Sequence, residues 1–497
     1  MSRNRLPGAS DDGPVNVVPR TLARRGLLAA AAGSALLARP SILRAQQRHP
    51  LAGKTIEMSV LGIAGWVPSK LGVDMSPLFA AYAKDRYGYD VRFRFADAPF
   101  GQLFQKAATS LATRSQEYNI IISDSQWLGA LAAPKWIVPL NPVIQQNPEL
   151  DVEWYAPAIR EAYQIYPDGS NNRWGFPQEG DTLALFVRKD LLTAPGEAAA
   201  FKTRYGIDLP QTWEDFERIT WDDYIKVLEF FTRPDQGYHG LASHYSREYD
   251  FFSCPALSFV RSMGGDVWDP KTGQVEGVLN TDGNARALEA YKALLKFQPP
   301  GAINYGIAEL VDVFTQGKVF SSMQWAAVGP AMIRPDMRDK VLVVPPPAFK
   351  GAGGKNVRNY IIGGQPWVIN AFNDDAHMRV AVDFMKWWYL PETTLEFARR
   401  GGDPCDKATL SRADFDTLQP WFRTYKYMLQ YSSDFWHDAK YSEMLATQQE
   451  AFTGFATGQV ADAKRALDWS ACRQQQTLFD AGTAGKGPSA ACASIRL

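Results

Sequence analysis

The chain has 497 residues, 46% hydrophobic and 12% aromatic, with 53 basic and 53 acidic side chains. A net charge of zero leaves no electrostatic footprint for nucleic acid. The length suits two or more lobes. The 15 Trp and 20 Tyr offer flat apolar faces for a ligand, or ordinary core packing.

Residues 1–45 read as an export signal. Arg24 and Arg25 precede Gly26–Leu28 and a run of small apolar residues, Ala29–Ala38, and Ala45 offers a cleavage site. The run is too short to span a bilayer. The Arg pair resembles the twin-arginine signal of bacteria, but Ala23 stands where Ser or Thr is usual, so the Tat and Sec routes both remain open. A disordered basic tail is the competing reading. No later stretch approaches about 18 uninterrupted apolar residues, so a soluble periplasmic protein is expected. The 4 Cys (Cys254, Cys405, Cys472, Cys492) permit three pairings. Cys472 and Cys492 could close a C-terminal loop or stay as buried thiols.

Thr55–Leu61 reads as a strand, Met75–Tyr87 as a helix, Asp90–Ala96 as an alternating strand, Phe100–Thr113 as a helix and Tyr118–Asp124 as a strand. That order predicts a parallel sheet covered by helices. Ligands in such sheets lie beyond the carboxyl ends of the strands, which draws attention to Trp66, Asp97 and Asp124–Trp127. After the turn residues Pro167–Asn172, Pro177 and Gly180 bracket Gln178, Glu179 and Asp181. The apolar run Leu183–Val187 then ends in Arg188–Asp190. This is read as a segment leaving one sheet and entering another. A second α/β set follows, with Thr212 as a helix cap, helices over 221–232 and 282–298, and a strand ending in Trp325. Val341–Pro347, the Gly351–Gly354 loop and Tyr360–Ile369 read as a return crossing. Asp374–Tyr389 is an amphipathic helix, and 420–481 is largely helical.

Several segments in this order resemble the bacterial extracellular solute-binding proteins of carbohydrate ABC importers, the group that contains maltose-binding protein. They are Gly175–Leu192, Gln211–Phe216, Phe314–Trp325, Gly363–Asn370, Ala381–Trp387 and Ala466–Asp468. Lys318–Phe320 departs from the usual Lys-Ala-Ala, and there is extra sequence around 190–210 and 405–430. The resemblance implies a two-lobed α/β periplasmic-binding-protein fold with a central cleft, closing by hinge bending. The lobes would be 46–178 with 362–404, and 179–361 with 405–497, with crossings near 177–187 and 343–365. It also implies a carbohydrate or polyol ligand, a partner ABC permease and a monomer, with no cofactor, metal or catalysis.

Such a ligand offers many hydroxyls and a face of C–H groups. Carboxylates and amides bind the hydroxyls, and aromatic rings cover the C–H face. Glu179 and Asp181 are the leading candidates, with a hinge salt bridge or turn cap as the other reading. Asp124, Ser125 and Gln126 end a strand, where Asp124 could instead cap a helix. The resemblance implies that Trp325 stacks on a sugar ring. Trp367 has contact or core packing open to it. Trp66 and Tyr249 could be loop anchors, Asp403 a turn residue, and Gly364 a point of close approach to ligand or strand. An anionic sugar would require Arg173, Arg247 or Arg358 in the cleft. A glycan-active enzyme could use Glu179 and Asp181. However, the sequence has no His-Glu-x-x-His or Gly-x-Ser-x-Gly, and the 5 His lack metal spacing.

Overall fold

The computed structural model describes residues 48–497, so the export segment read at 1–45 lies outside the described residues. β1 (Thr55–Ile63) runs parallel to β2 (Asp90–Ala98) on one side and β3 (Ile120–Ile122) on the other. The crossover helices are Val67–Tyr87 and Phe100–Ala112. Met58–Ile63 is buried on both faces, as a central strand requires. The later strands are β4 (Phe176–Arg188), β5 (His239–Ala242), β6 (Val319–Trp325), β7 (Val341–Val344), β8 (Phe349–Lys350), β9 (Asn356–Val357), β10 (Tyr360–Ile369) and β11 (Ser432–Ser433). The main sheet has the order β2-β1-β3-β10-β4-β6-β5, and β8 and β9 form a separate two-stranded sheet.

β4 joins the two parts of this sheet by changing partners. Phe176–Thr182 pairs antiparallel with β10, setting Glu179 opposite Gln365 and Asp181 opposite Gly363. Leu183–Arg188 pairs instead with β6 and β7. The register slips between Gln365 and Pro366, where Pro366 stands opposite Pro177. Neither proline can donate to the ladder, so a bulge is the available solution there.

The Gly363–Gly364 pair has a steric reason. A Cβ on Gly363 would lie 2.8 Å from the Trp325 ring. Gly364 adopts φ +95°, and a Cβ there would lie 2.6 Å from the Tyr163 hydroxyl and 2.7 Å from the Glu179 carbonyl oxygen. Of the two approaches expected for Gly364, the close one is to Tyr163 and to β4.

Local signals read from the sequence recur in the structure. Thr212 forms a capping box with Asp215. Asp374 caps the helix Asp375–Trp388 by accepting from the Ala376 and His377 amides. The 420–481 stretch holds the helices Phe422–Met428, Tyr441–Ala456 and Ala463–Asp480. The helix Ser253–Ser262, unread in the sequence, is buried along almost its whole length. Cys472 and Cys492 are joined by a disulfide across 20 residues, while Cys254 and Cys405 are free and buried. Among the described residues, no helix is long and apolar enough to cross a membrane.

Candidate functional site

The carboxyl ends of β1 and β3, the crossing of β4 with β10, and the loop Tyr249–Cys254 converge on one small cavity of about 30 Å³. Trp66 follows β1 through Gly65, which takes φ +73°. Its indole Nε1 donates to Glu179 Oε1 at 3.0 Å and to Gln365 Oε1 at 2.7 Å. Phe100, which opens the helix after β2, stands edge-on to Trp66 at 5.7 Å and stacks on Tyr249 at 5.3 Å. Trp325, delivered by the end of β6, closes the side above Gly363. Tyr249 holds φ +50°, which is strained for a residue with a side chain.

Asp124 follows β3 and caps the short turn Ser125–Trp127, accepting from the Gln126 amide at 3.3 Å and the Ser125 hydroxyl at 3.1 Å. It also lines the cavity, so capping and exposure to the site coexist in one side chain. Gln126 Nε2 donates to Asp250 Oδ2 at 2.9 Å, tying the loop after β3 to the loop before the helix Ser253–Ser262. Asp181 Oδ1 accepts from the amides of Thr182 at 2.7 Å and Ala327 at 3.1 Å. Glu179 and Asp181 share one face of β4, as side chains two apart on a strand must.

The carboxylates of this region are held above their ordinary range. Burial is the main cause for Asp124, Asp181 and Asp250, and the nearby Asp250 charge raises Asp124 further. Glu179 rises through burial and the neighbouring Asp181 and Asp403 charges. Taking these groups out of water without a counter-charge disfavours ionisation.

Of the residues singled out in the sequence, Trp66, Asp124, Gln126, Asp181, Tyr249, Trp325 and Gly364 line the cavity. Glu179 stands behind Trp66 and is fully buried. Three others are set apart from the cavity lining. Ser125 is buried and bonded to Asp124. Trp367 packs edge-on against Phe384 and Trp388, at 5.5 Å from each, inside the core. Asp403 accepts from the Trp421 indole at 2.8 Å, and its backbone carbonyl accepts from the Gly180 amide.

Asp250, Phe100, Phe251 and Gln365 line the cavity without having been singled out. Asp250 is the neighbour of Tyr249, and Gln365 belongs to the Gly363–Asn370 segment, so both lay within reach of the sequence reading. A wider groove of about 360 Å³ shares Phe100 and Tyr249 and carries Arg247. Arg173 pairs with Asp151, and Arg358 donates to the backbone carbonyls of Pro346, Phe216 and Glu217.

Comparison with solved structures gives the same architecture. A ribitol complex of an ABC transporter solute-binding protein from Agrobacterium radiobacter matches with TM-score 0.66 at 22% identity, covering 85% of this chain and 98% of that one. A maltose-bound protein from T. maritima matches with TM-score 0.69 at 18% identity, covering 84% and 98%. A D-mannitol complex from Agrobacterium vitis matches with TM-score 0.63 at 16% identity, covering 86% and 99%. These likenesses establish a mixed α/β, two-lobed binding-protein fold. Residues 69–394 match the bacterial extracellular solute-binding protein family, a group of binding proteins rather than enzymes. With well over half of its 497 residues in that match, the chain belongs to the bacterial extracellular solute-binding proteins.

Proposed function

We propose that the protein is a periplasmic receptor that captures a sugar or polyol and delivers it to an ABC import permease. The observation that carries this reading is the composition of the cavity wall. Asp124, Asp181, Asp250, Gln126 and Gln365 supply acceptors, and Trp66, Phe100, Tyr249 and Trp325 supply ring surfaces. A polyhydroxylated ligand offers several donors on one small body and C–H faces for the rings. The ribitol, mannitol and maltose complexes support the reading through their shared fold.

Capture is a closure of two lobes, about 46–178 with 362–404 against 179–361 with 405–497, with β4 and β10 as the hinge. The Gln126–Asp250 hydrogen bond is the kind of contact a closed state gains. The receptor acts as a monomer without a cofactor, docks on its permease through both lobes, and reaches the periplasm through the signal at 1–45. An anionic ligand is disfavoured, because among the described residues no Lys or Arg lines the cavity.

A thermal-shift panel of sugars, polyols and sugar acids tests the reading. A true ligand at 100 times its Kd adds about 2.7 kcal/mol to stability. No shift with any sugar or polyol overturns the proposal.

A further inference from the structure

We propose that the solute carries a positive charge, an aminated sugar or polyol that places its ammonium group in this cavity among Asp124, Asp181 and Asp250. This rests on the receptor reading above and narrows its substrate class.

The first ground is charge balance. Asp124, Asp181 and Asp250 line the cavity and are 6%, 1% and 6% exposed, with Glu179 at 0% behind them. Among the described residues, none of the four forms a salt bridge, and no Lys, Arg or His lines the cavity. The same region shows what the fold does where it does supply a counter-charge. Asp434, whose charge reaches Asp124, bonds His437 at 3.3 Å, and Asp168 bonds the same ring at 2.9 Å. Burial opposes charging of His437, but the two carboxylates outweigh it and push it up to about 10. The cavity acids have no such partner among the described residues, and buried charges without partners are costly.

The second ground is unused hydrogen-bonding capacity. Asp181 Oδ2 and Gln126 Oε1, both on buried residues of the cavity wall, have no partner among the described residues, and neither has Glu179 Oε2. Gln126 Oε1 is an acceptor, and the two carboxyl oxygens become acceptors once a cation beside them lets the acids ionise, so the group that fits all three is a donor. An ammonium brings three N–H donors and a full charge in the space of one hydroxymethyl group. The third ground is the wall itself. Trp66, Phe100, Tyr249 and Trp325 surround the acids, and ring faces attract a desolvated cation. A neutral polyol would satisfy the open positions but leave the acids protonated, whereas an ammonium group supplies the counter-charge that lets them ionise.

Matched ligand pairs differing in one group test the inference. Ribitol, mannitol and glucose are each titrated calorimetrically into the mature protein near neutral pH. Each is set against the compound in which one hydroxyl is replaced by an amine (1-amino-1-deoxyribitol, 1-amino-1-deoxymannitol and glucosamine). The expected result is an amine that binds more tightly than its hydroxyl partner by about tenfold or more, with that ratio collapsing in Asp250→Asn and Asp181→Asn. An amine that binds no better than its hydroxyl partner overturns the inference and leaves the receptor reading standing. Binding of neither member of any pair, with a flat thermal panel, overturns the receptor reading and this inference together.

Discussion

Along β4, Leu183–Val187 and Gln178–Thr182 are buried to the same depth, yet they are made of opposite chemistry. The first is wholly apolar, paired throughout with β6 and from Leu185 onward with β7 as well. Each of its Leu, Phe and Val side chains contributes about 1.5–3 kcal/mol by leaving water. The second holds Gln178, Glu179, Asp181 and Thr182, and each keeps one buried oxygen without a partner among the described residues. Each unmet group costs about 1–3 kcal/mol. A strand selected for stability alone would not be written this way. The apolar half anchors β4 firmly enough to carry the polar half, of which Asp181 lines the cavity.

The separation can be broken from either end. Phe186→Ala is expected to lose about 3–5 kcal/mol of unfolding free energy in urea. Solute affinity of the remaining folded protein should be unchanged, and a parallel fall in affinity would show that the halves are not independent. Asp181→Asn is expected to act in the opposite sense. It should weaken solute binding by about 1.5–3 kcal/mol, read by calorimetry, without destabilising the solute-free protein. Burial moves Asp181 from its ordinary 3.8 up to about 8. The folded state therefore holds a proton that the unfolded state releases. Stability of the solute-free protein is greatest at acid pH and declines as pH rises through that window. Melting temperatures across that range should show the decline, and Asp181→Asn should flatten it. Gly363→Ala pushes a methyl group toward the Trp325 ring and is expected to cost about 1–3 kcal/mol, with a larger loss in solute affinity than any other change confined to backbone packing. As a remote control, Thr212→Ala removes a capping box and should cost about 1 kcal/mol, leaving affinity untouched.

The apolar half of β4 was plain in the sequence because five consecutive apolar residues between turn residues and charge have few other uses. The polar half was visible for the complementary reason, as two acids between Pro177 and Gly180 in a segment that had to be extended. What the sequence could not supply was who meets whom. Asp250 and Phe100 matter because Gln126 and Tyr249 reach them across 124 and 149 positions of chain respectively. No local period encodes such pairings. Trp367 shows the converse. Its place beside Gly-Gly left ligand contact and core packing both open, and it packs against Phe384 and Trp388 on the helix Asp375–Trp388.

The Trp66 indole, hydrogen-bonded at once to Glu179 and Gln365, has an optical consequence. Indole emission moves with the polarity and charge around the ring, and this ring shares its only N–H with a carboxylate beside the solute space. A ligand that draws on Gln365, which lines the cavity, would alter that hydrogen bond, and with it the colour and yield of the emission. Comparing the native protein with Trp66→Phe isolates this signal from the other indoles. Occupancy of the cavity beside Trp66 could thus be read without a label.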